Sequence, residues 1–72
     1  MKHGREVVFS SFFHEHEPAL RRIARGLVVA GEVDQVVSST FSTAWERFAE
    51  IPTDAARPWL VAVMRNHVRN LS

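Results

Sequence analysis

Apolar residues that recur at spacings of three and four constrain this chain more than any other feature of its sequence. Three segments show this pattern, and glycine or proline residues separate them. The spacing places apolar side chains on one side of an α-helix, whereas a half-buried strand alternates at every second residue. No segment alternates in that way. The sequence therefore predicts an all-α fold, a small bundle of three to four helices.

The first segment has a long apolar stripe, which predicts a helix over about residues 6–29. The stripe consists of Phe9, Phe12, Phe13, His16, Leu20, Ile23, Ala24 and Leu27. Pro18 interrupts this segment, because proline lacks the N–H that an interior helical residue donates. It either opens a second helix at its first turn or kinks one continuous helix. Gly31 is the predicted stop.

The second and third segments predict helices over about residues 32–49 and 57–71. The second helix has a wide apolar face: Val33, Val36, Val37, Thr40, Phe41, Ala44, Trp45 and Phe48. The third has an inner stripe of Leu60, Val63, Met64, His67, Val68 and Leu71. We expect Trp45 to pack in the core and Pro58 to lie in the first turn of the third helix. Because no Gly or Pro stops this helix before Ser72, we expect it to run to the end of the chain.

The length of 72 residues is that of one domain with a thin core. Hydrophobic residues make up 46% of the chain, and the absence of cysteine excludes disulfides and thiolate metal sites. Residues 1–5 are not followed by the apolar stretch of a secretory signal, and no apolar run approaches the roughly 20 residues that span a membrane. We therefore expect a single cytoplasmic domain over residues 1–72, with no membrane contact.

Charge is distributed unevenly along the chain. Residues 1–54 carry six Lys/Arg and eight Asp/Glu, whereas residues 55–72 carry Arg57, Arg65 and Arg69 and no acid. A basic end permits contact with an anionic partner, although this charge is too small to dominate nucleic-acid affinity by itself.

The sequence lacks the motifs of catalytic and metal sites. His14 and His16 are two residues apart and so point to different sides of a helix, and the remaining His3 and His67 have no paired spacing. We expect His14 at the surface and His16 and His67 partly buried. The three glycines are isolated and no nucleophile elbow is present. We therefore expect no enzyme activity, no metal, no cofactor and no small-molecule substrate.

Two stretches, residues 33–48 and 58–70, together resemble region 2 of the bacterial extracytoplasmic-function sigma factors. In that family an acidic pair, two aliphatic residues, Gln and a further acid precede a Thr-Phe step and an Ala-Trp step. After a short loop come Trp-Leu and, a turn later, Arg-Asn. The same order is found here in Thr40-Phe41, Ala44-Trp45, Trp59-Leu60 and Arg65-Asn66.

The resemblance implies a compact helical bundle with two macromolecular partners in transcription initiation. One surface docks on the clamp coiled coil of the large catalytic subunit of RNA polymerase. Another recognises and melts the minus-ten promoter element and holds the non-template strand. An anti-sigma factor is a further partner that the family implies. The alternative is a helical protein-interaction module whose main partner is an anti-sigma factor or another regulatory protein.

The polymerase-docking positions that the resemblance implies lie on the outer face of the second helix. They are Asp34, Gln35, Ser38, Ser39 and Ser42. Asp34 matches the first acid of the family pattern, but Gln35 replaces the usual second acid and Ser38 replaces the usual Gln. Without the resemblance, the same residues would be interpreted as a solvated polar face.

The DNA-binding positions that the resemblance implies lie on the third helix and at its start. They are Arg57, Ala62, Arg65, Asn66, Arg69 and Asn70. Arg contacts phosphates and base edges, and Asn pairs with a base edge. The loop over residues 51–57 matches the family's base-capturing loop in position, and Trp59 is expected to be structural. Apart from the resemblance, a basic helix end is also favoured by the helix dipole alone.

Overall fold

The computed structural model describes residues 2–71, with Lys2 and His3 described by their backbone alone. The three α-helices are α1 (Lys2–Arg25), α2 (Val33–Glu46) and α3 (Ala56–Arg69). Short 3-10 turns at Ala30–Glu32 and Phe48–Glu50 flank α2. No strand occurs in this part of the chain, and the predicted all-α bundle is confirmed. Met1, Ser72 and the side chain of His3 lie outside the described residues.

The first helix is continuous through Pro18, so proline does not open a separate helix here. Because Pro18 has no N–H, the carbonyl of His14 lacks its usual helical donor at this point. The predicted end at residue 29, with Gly31 as its stop, is wrong. The N–H groups of Gly26 and Leu27 bond to the carbonyls three residues earlier, at 3.0 and 2.9 Å. The helix therefore ends at Arg25, because the chain tightens at Gly26 and glycine is a poor helix former.

The other two helices are shorter than the periodicity predicts. The chain after α2 tightens into the 3-10 turn Phe48–Glu50 instead of continuing as α-helix to residue 49. The expectation that the third helix runs to the end of the chain is also wrong, because α3 ends at Arg69. There the N–H of Asn70 is shared between the carbonyls of Asn66 and His67, at 3.2 and 3.1 Å. Bifurcated bonds of this kind are common where helices end.

The core lies where the three helices pack against one another. Its buried hydrophobic residues are Leu20, Ala24, Val33, Val36, Val37, Phe41, Ala44, Leu60 and Met64. Phe9, Phe12 and Phe13 of α1 are half-buried around this cluster. Most residues of the predicted apolar stripes therefore face the core. Leu27, which follows the end of α1, and Trp45 are exposed, and Phe48 and Val63 are not part of the cluster. Apolar burial of this kind is the main force that holds such a bundle together.

Trp45 is the main correction to the predicted core. Its side chain is 36% exposed, because it lies at the edge of the contact between α1 and α2. The ring packs edge-on against Phe9 at 5.1 Å between centroids, and the guanidinium of Arg5 lies 4.2 Å from the ring centroid. Arg5 also donates a hydrogen bond to the Trp45 carbonyl, one of the carbonyls left without a helical partner at the end of α2. Trp45 thus covers the core from outside.

Candidate functional site

Five of the six predicted DNA-binding residues share one exposed surface of α3, whereas Arg57 lies apart from them in the first turn of the helix. Arg57, Ala62, Arg65, Asn66, Arg69 and Asn70 are all exposed. Leu60 and Met64 on the opposite side are fully buried, and this anchors α3 in the bundle. Residues 55–71 contain no acid that would neutralise the arginines. The structure therefore brings Ala62, Arg65, Asn66, Arg69 and Asn70 together, and it places Arg57 about two turns before Arg65, on the side of α3 that faces α1. Contact of these residues with DNA stays a prediction.

One contact joins two residues of this surface. Nη2 of Arg69 lies 3.5 Å from Oδ1 of Asn66, one helical turn earlier. A hydrogen bond of that length is weaker than one near 2.9 Å. A phosphate or a base edge with better geometry can therefore replace it at low cost.

Arg57 lies in the first turn of α3 and is joined to α1. Its Nε donates a hydrogen bond of 2.9 Å to Nδ1 of His16, which is 41 residues earlier in the chain. His16 is only 7% exposed, and its ring packs against Phe12 with 4.7 Å between centroids. Burial lowers the pKa of His16, the positive charge of Arg57 lowers it further, and Glu15 acts in the opposite direction. The neutral imidazole that accepts this bond is thereby favoured.

A concave cavity of about 840 Å³ opens beside this pair. One wall is formed by α1, with Phe12, Glu15 and His16, and the opposite wall by the chain from Phe48 to Pro58. The predicted base-capturing loop, residues 51–57, lies wholly within that second wall. A pocket with apolar walls and a few charged groups at its edge is typical of a ligand site. The sequence predicted the loop, but it did not predict the wall that α1 provides.

The predicted polymerase-docking residues lie together on α2. Asp34, Gln35, Ser38 and Ser42 are exposed and Ser39 is half-buried. The carboxylate of Asp34 accepts a hydrogen bond from Arg21 of α1, and Nε of Arg21 donates to Oε2 of Glu17 at 2.7 Å. These two hydrogen bonds raise the pKa of Arg21 above its already high value, so its charge is permanent. The Asp34 side chain nevertheless remains 89% exposed.

A shallow groove of about 590 Å³ runs beside these residues between α1 and α2. Ser38 and Ser42 form its polar edge, and Phe13 and Phe41 line its floor. The polar docking positions therefore border an aromatic surface. The apolar stripes place Phe13 and Phe41 in the core, and the sequence pattern does not predict this groove.

His16 and Arg21 are functional candidates that no sequence motif identifies. His16 falls on the apolar stripe between Phe12 and Leu20, and a polar ring on a buried face needs a hydrogen-bond partner. The position of His16 on the apolar stripe therefore predicts a hydrogen bond to its ring. Its partner, however, comes from a distant helix, and no local pattern identifies Arg57.

The remaining histidines occupy the positions that the sequence predicts. His14 is exposed and His67 is half-buried, with Nε2 of His67 lying 2.9 Å from Oγ1 of Thr43. This contact joins α3 to α2. Among the residues whose side chains the structure describes, no group of three or more His, Cys, Asp or Glu could hold a metal ion. Among the helices of residues 2–71, none is long and apolar enough to cross a membrane.

Comparisons with known proteins agree with the two stretches identified in the sequence. Residues 12–71 match the family Sigma-70 region 2. The chain is also similar to the RNA polymerase sigma factor NccH of Alcaligenes xylosoxydans xylosoxydans, with 33% identity over 70 residues. That alignment covers 94% of this chain and 38% of the relative, so the chain spans about two fifths of the relative's length. No solved structure matches the chain significantly. Since the matched range includes α2, α3 and most of α1, the resemblance is confirmed and the chain belongs to the Sigma-70 region 2 family.

Proposed function

We propose that this chain acts in transcription initiation as the sigma factor domain that docks on RNA polymerase and recognises and melts the minus-ten promoter element. One observation carries the proposal. One helix, α3, carries both the exposed Arg65–Asn70 surface and, at its start, Arg57, which lines the loop cavity. The similarity to a protein named as an RNA polymerase sigma factor supports the same role.

The arrangement of α3 suits a single DNA strand better than a duplex. A protein that holds a single strand needs a cationic track for phosphates and a pocket for an unstacked base. Arg65 and Arg69 provide the track, and the cavity beside residues 51–57 provides the pocket. Because such a pocket accepts a base only after it has left the duplex, binding shifts the equilibrium toward the open, non-template strand.

The proposed polymerase contact uses the exposed positions of α2. Asp34 presents a carboxylate held by Arg21, and Ser38 and Ser42 add polar groups beside the aromatic groove. The partner would be the clamp coiled coil of the large catalytic subunit. An anti-sigma factor that covered this surface would compete with polymerase. All of these roles require binding and none requires a reaction catalysed by this chain.

The DNA proposal is tested by titrating the protein with a fluorescein-labelled, 15-nucleotide single strand of randomised sequence and with the corresponding duplex. We expect tighter binding to the single strand. Arg65→Ala should weaken this binding and reduce the slope of log affinity against log salt by about 0.7. Asn66→Ala should weaken it without changing the slope, because asparagine carries no charge.

The matched control for charge is Arg22→Ala, which removes an exposed arginine from α1. We expect this variant to bind the single strand with nearly the affinity of the unmodified protein. If Arg22→Ala and Arg65→Ala weaken binding equally, and Asn66→Ala has no effect, the α3 surface is not a site and only net charge attracts DNA.

A further inference from the structure

We propose that His16 is a positioning residue for the DNA site, because its Nδ1 holds the guanidinium of Arg57 at the edge of the loop cavity. This inference rests on the proposed DNA-binding function. The two side chains meet at 2.9 Å, and both line the cavity between α1 and the loop. His16 is buried and Arg57 is exposed, so His16 is the fixed member of the pair.

The hydrogen bond with His16 leaves the ligand-binding end of Arg57 available. It uses Nε, and the two terminal nitrogens Nη1 and Nη2 carry the other four N–H donors of the guanidinium. Those donors are the ones that form paired contacts with phosphate or with a base edge. A long side chain that is ordered before binding loses less conformational freedom when it binds. Loss of the His16 acceptor should therefore weaken DNA binding through Arg57.

The position of His16 is itself set by packing. The imidazole lies against the Phe12 ring on the buried side of α1, two residues before Pro18. Because Nδ1 accepts the hydrogen bond, the ring proton must be on Nε2. The charged groups at this end of the cavity are Arg57 from α3, Glu15 from α1 and Asp54 from the loop. Among the side chains that the structure describes, neither acid hydrogen-bonds to Arg57, and His16 is the partner that orients it.

Two substitutions test separately the contributions of the hydrogen-bond acceptor and of the ring of His16. His16→Phe keeps a ring that fits beside Phe12 but removes the acceptor, whereas His16→Asn places Oδ1 near the position of Nδ1 and loses the ring. With the labelled 15-nucleotide single strand, we expect His16→Phe to weaken binding about two- to tenfold, the range for one net hydrogen bond. His16→Asn should recover most of that loss, although its smaller side chain packs less well. Circular dichroism and thermal melting should show that each variant is folded at the assay temperature.

A double-mutant cycle with Arg57→Ala decides whether His16 acts through Arg57. In the Arg57→Ala background we expect His16→Phe to have no further effect on DNA affinity. An equal loss in both backgrounds would show that His16 affects the fold alone, and this would overturn the inference. If the unmodified protein does not bind the single strand, the proposed DNA function fails, and the inference fails with it. If that protein binds but the cycle shows no coupling, only the role of His16 is refuted.

Discussion

The protonation state of His16 connects solution pH to the contact between α1 and α3. Nδ1 can accept from Arg57 only when the imidazole is neutral, and a protonated ring would place two cations side by side. Burial and Arg57 both lower the pKa of His16 from its usual 6.5. His16 is therefore protonated at a lower pH in the folded state than in the unfolded chain, where it is protonated near pH 6.5.

We expect acidification to destabilise the protein through His16. Because the pKa is lower in the folded state, this stability is fully present above about pH 6.5 and is lost as the pH falls through the folded-state pKa. Between pH 7.5 and pH 5.0, the thermal midpoint should therefore fall more for the unmodified protein than for His16→Phe, which has no titrating ring at this position. Arg57→Ala removes a neighbouring charge that lowers the pKa and should show an intermediate dependence. Equal falls in all three proteins would exclude His16 as the group responsible.

At the scale of elements, α1 and α2 are joined on the proposed docking surface by charge as well as by packing. Arg21 bridges Glu17 on its own helix and Asp34 on α2. Exposed ion pairs contribute little to stability, because water screens them and the side chains lose freedom. We infer that the main effect of this bridge is to orient the Asp34 carboxylate toward a partner.

We expect Asp34→Ala to weaken binding to the isolated clamp coiled coil of RNA polymerase by about tenfold or more, the loss that follows truncation of a hot-spot residue. Binding can be measured by calorimetry at low salt. Glu6→Ala removes one exposed carboxylate from α1 and is the control for net charge. The docking proposal is contradicted if the unmodified chain does not bind at high concentration. The assignment to Asp34 is contradicted if Glu6→Ala has the same effect.

Helix number and helix faces were predictable, whereas helix ends were not. The apolar spacing identified α1, α2 and α3, because a buried face must repeat with the helical period. The end of α1 was not predictable, because the apolar periodicity continues to Leu27 although the chain forms a tighter turn at Gly26. Pro18 left two alternatives, and packing of the residues on both sides of it against α2 and α3 is consistent with the continuous helix.

At the scale of the whole molecule, stability depends on a few fully buried side chains. Leu20 from α1 and Leu60 and Met64 from α3 are completely inaccessible to solvent. A domain of this size has only a few kcal/mol of net stability, so each of these side chains represents a large share of it.

We expect Leu60→Ala to lower the free energy of unfolding by about 2–5 kcal/mol, from lost apolar burial and the cavity left behind. That loss is comparable to the whole stability, so DNA binding and polymerase binding should decrease together. Val29→Ala, at a residue that is 70% exposed, should change the free energy by less than about 0.5 kcal/mol. Urea denaturation followed by circular dichroism measures the free energy of unfolding of both variants. A Leu60→Ala protein as stable as Val29→Ala would show that α3 is not anchored as described.

The sequence by itself determined the helical class, the buried faces and the exposed row on α3, because each depends on a repeat of about 3.6 residues within one segment. It also carried the family resemblance, through the order of residues in α2 and α3. Tertiary structure alone decided which helices exchange hydrogen bonds, as in His16 with Arg57 and Arg21 with Asp34. It also decided that Trp45 lies outside the core and that α1 forms a wall of the loop cavity. These features depend on how the helices cross and where the loop runs, and the period of an isolated helix contains no information about either.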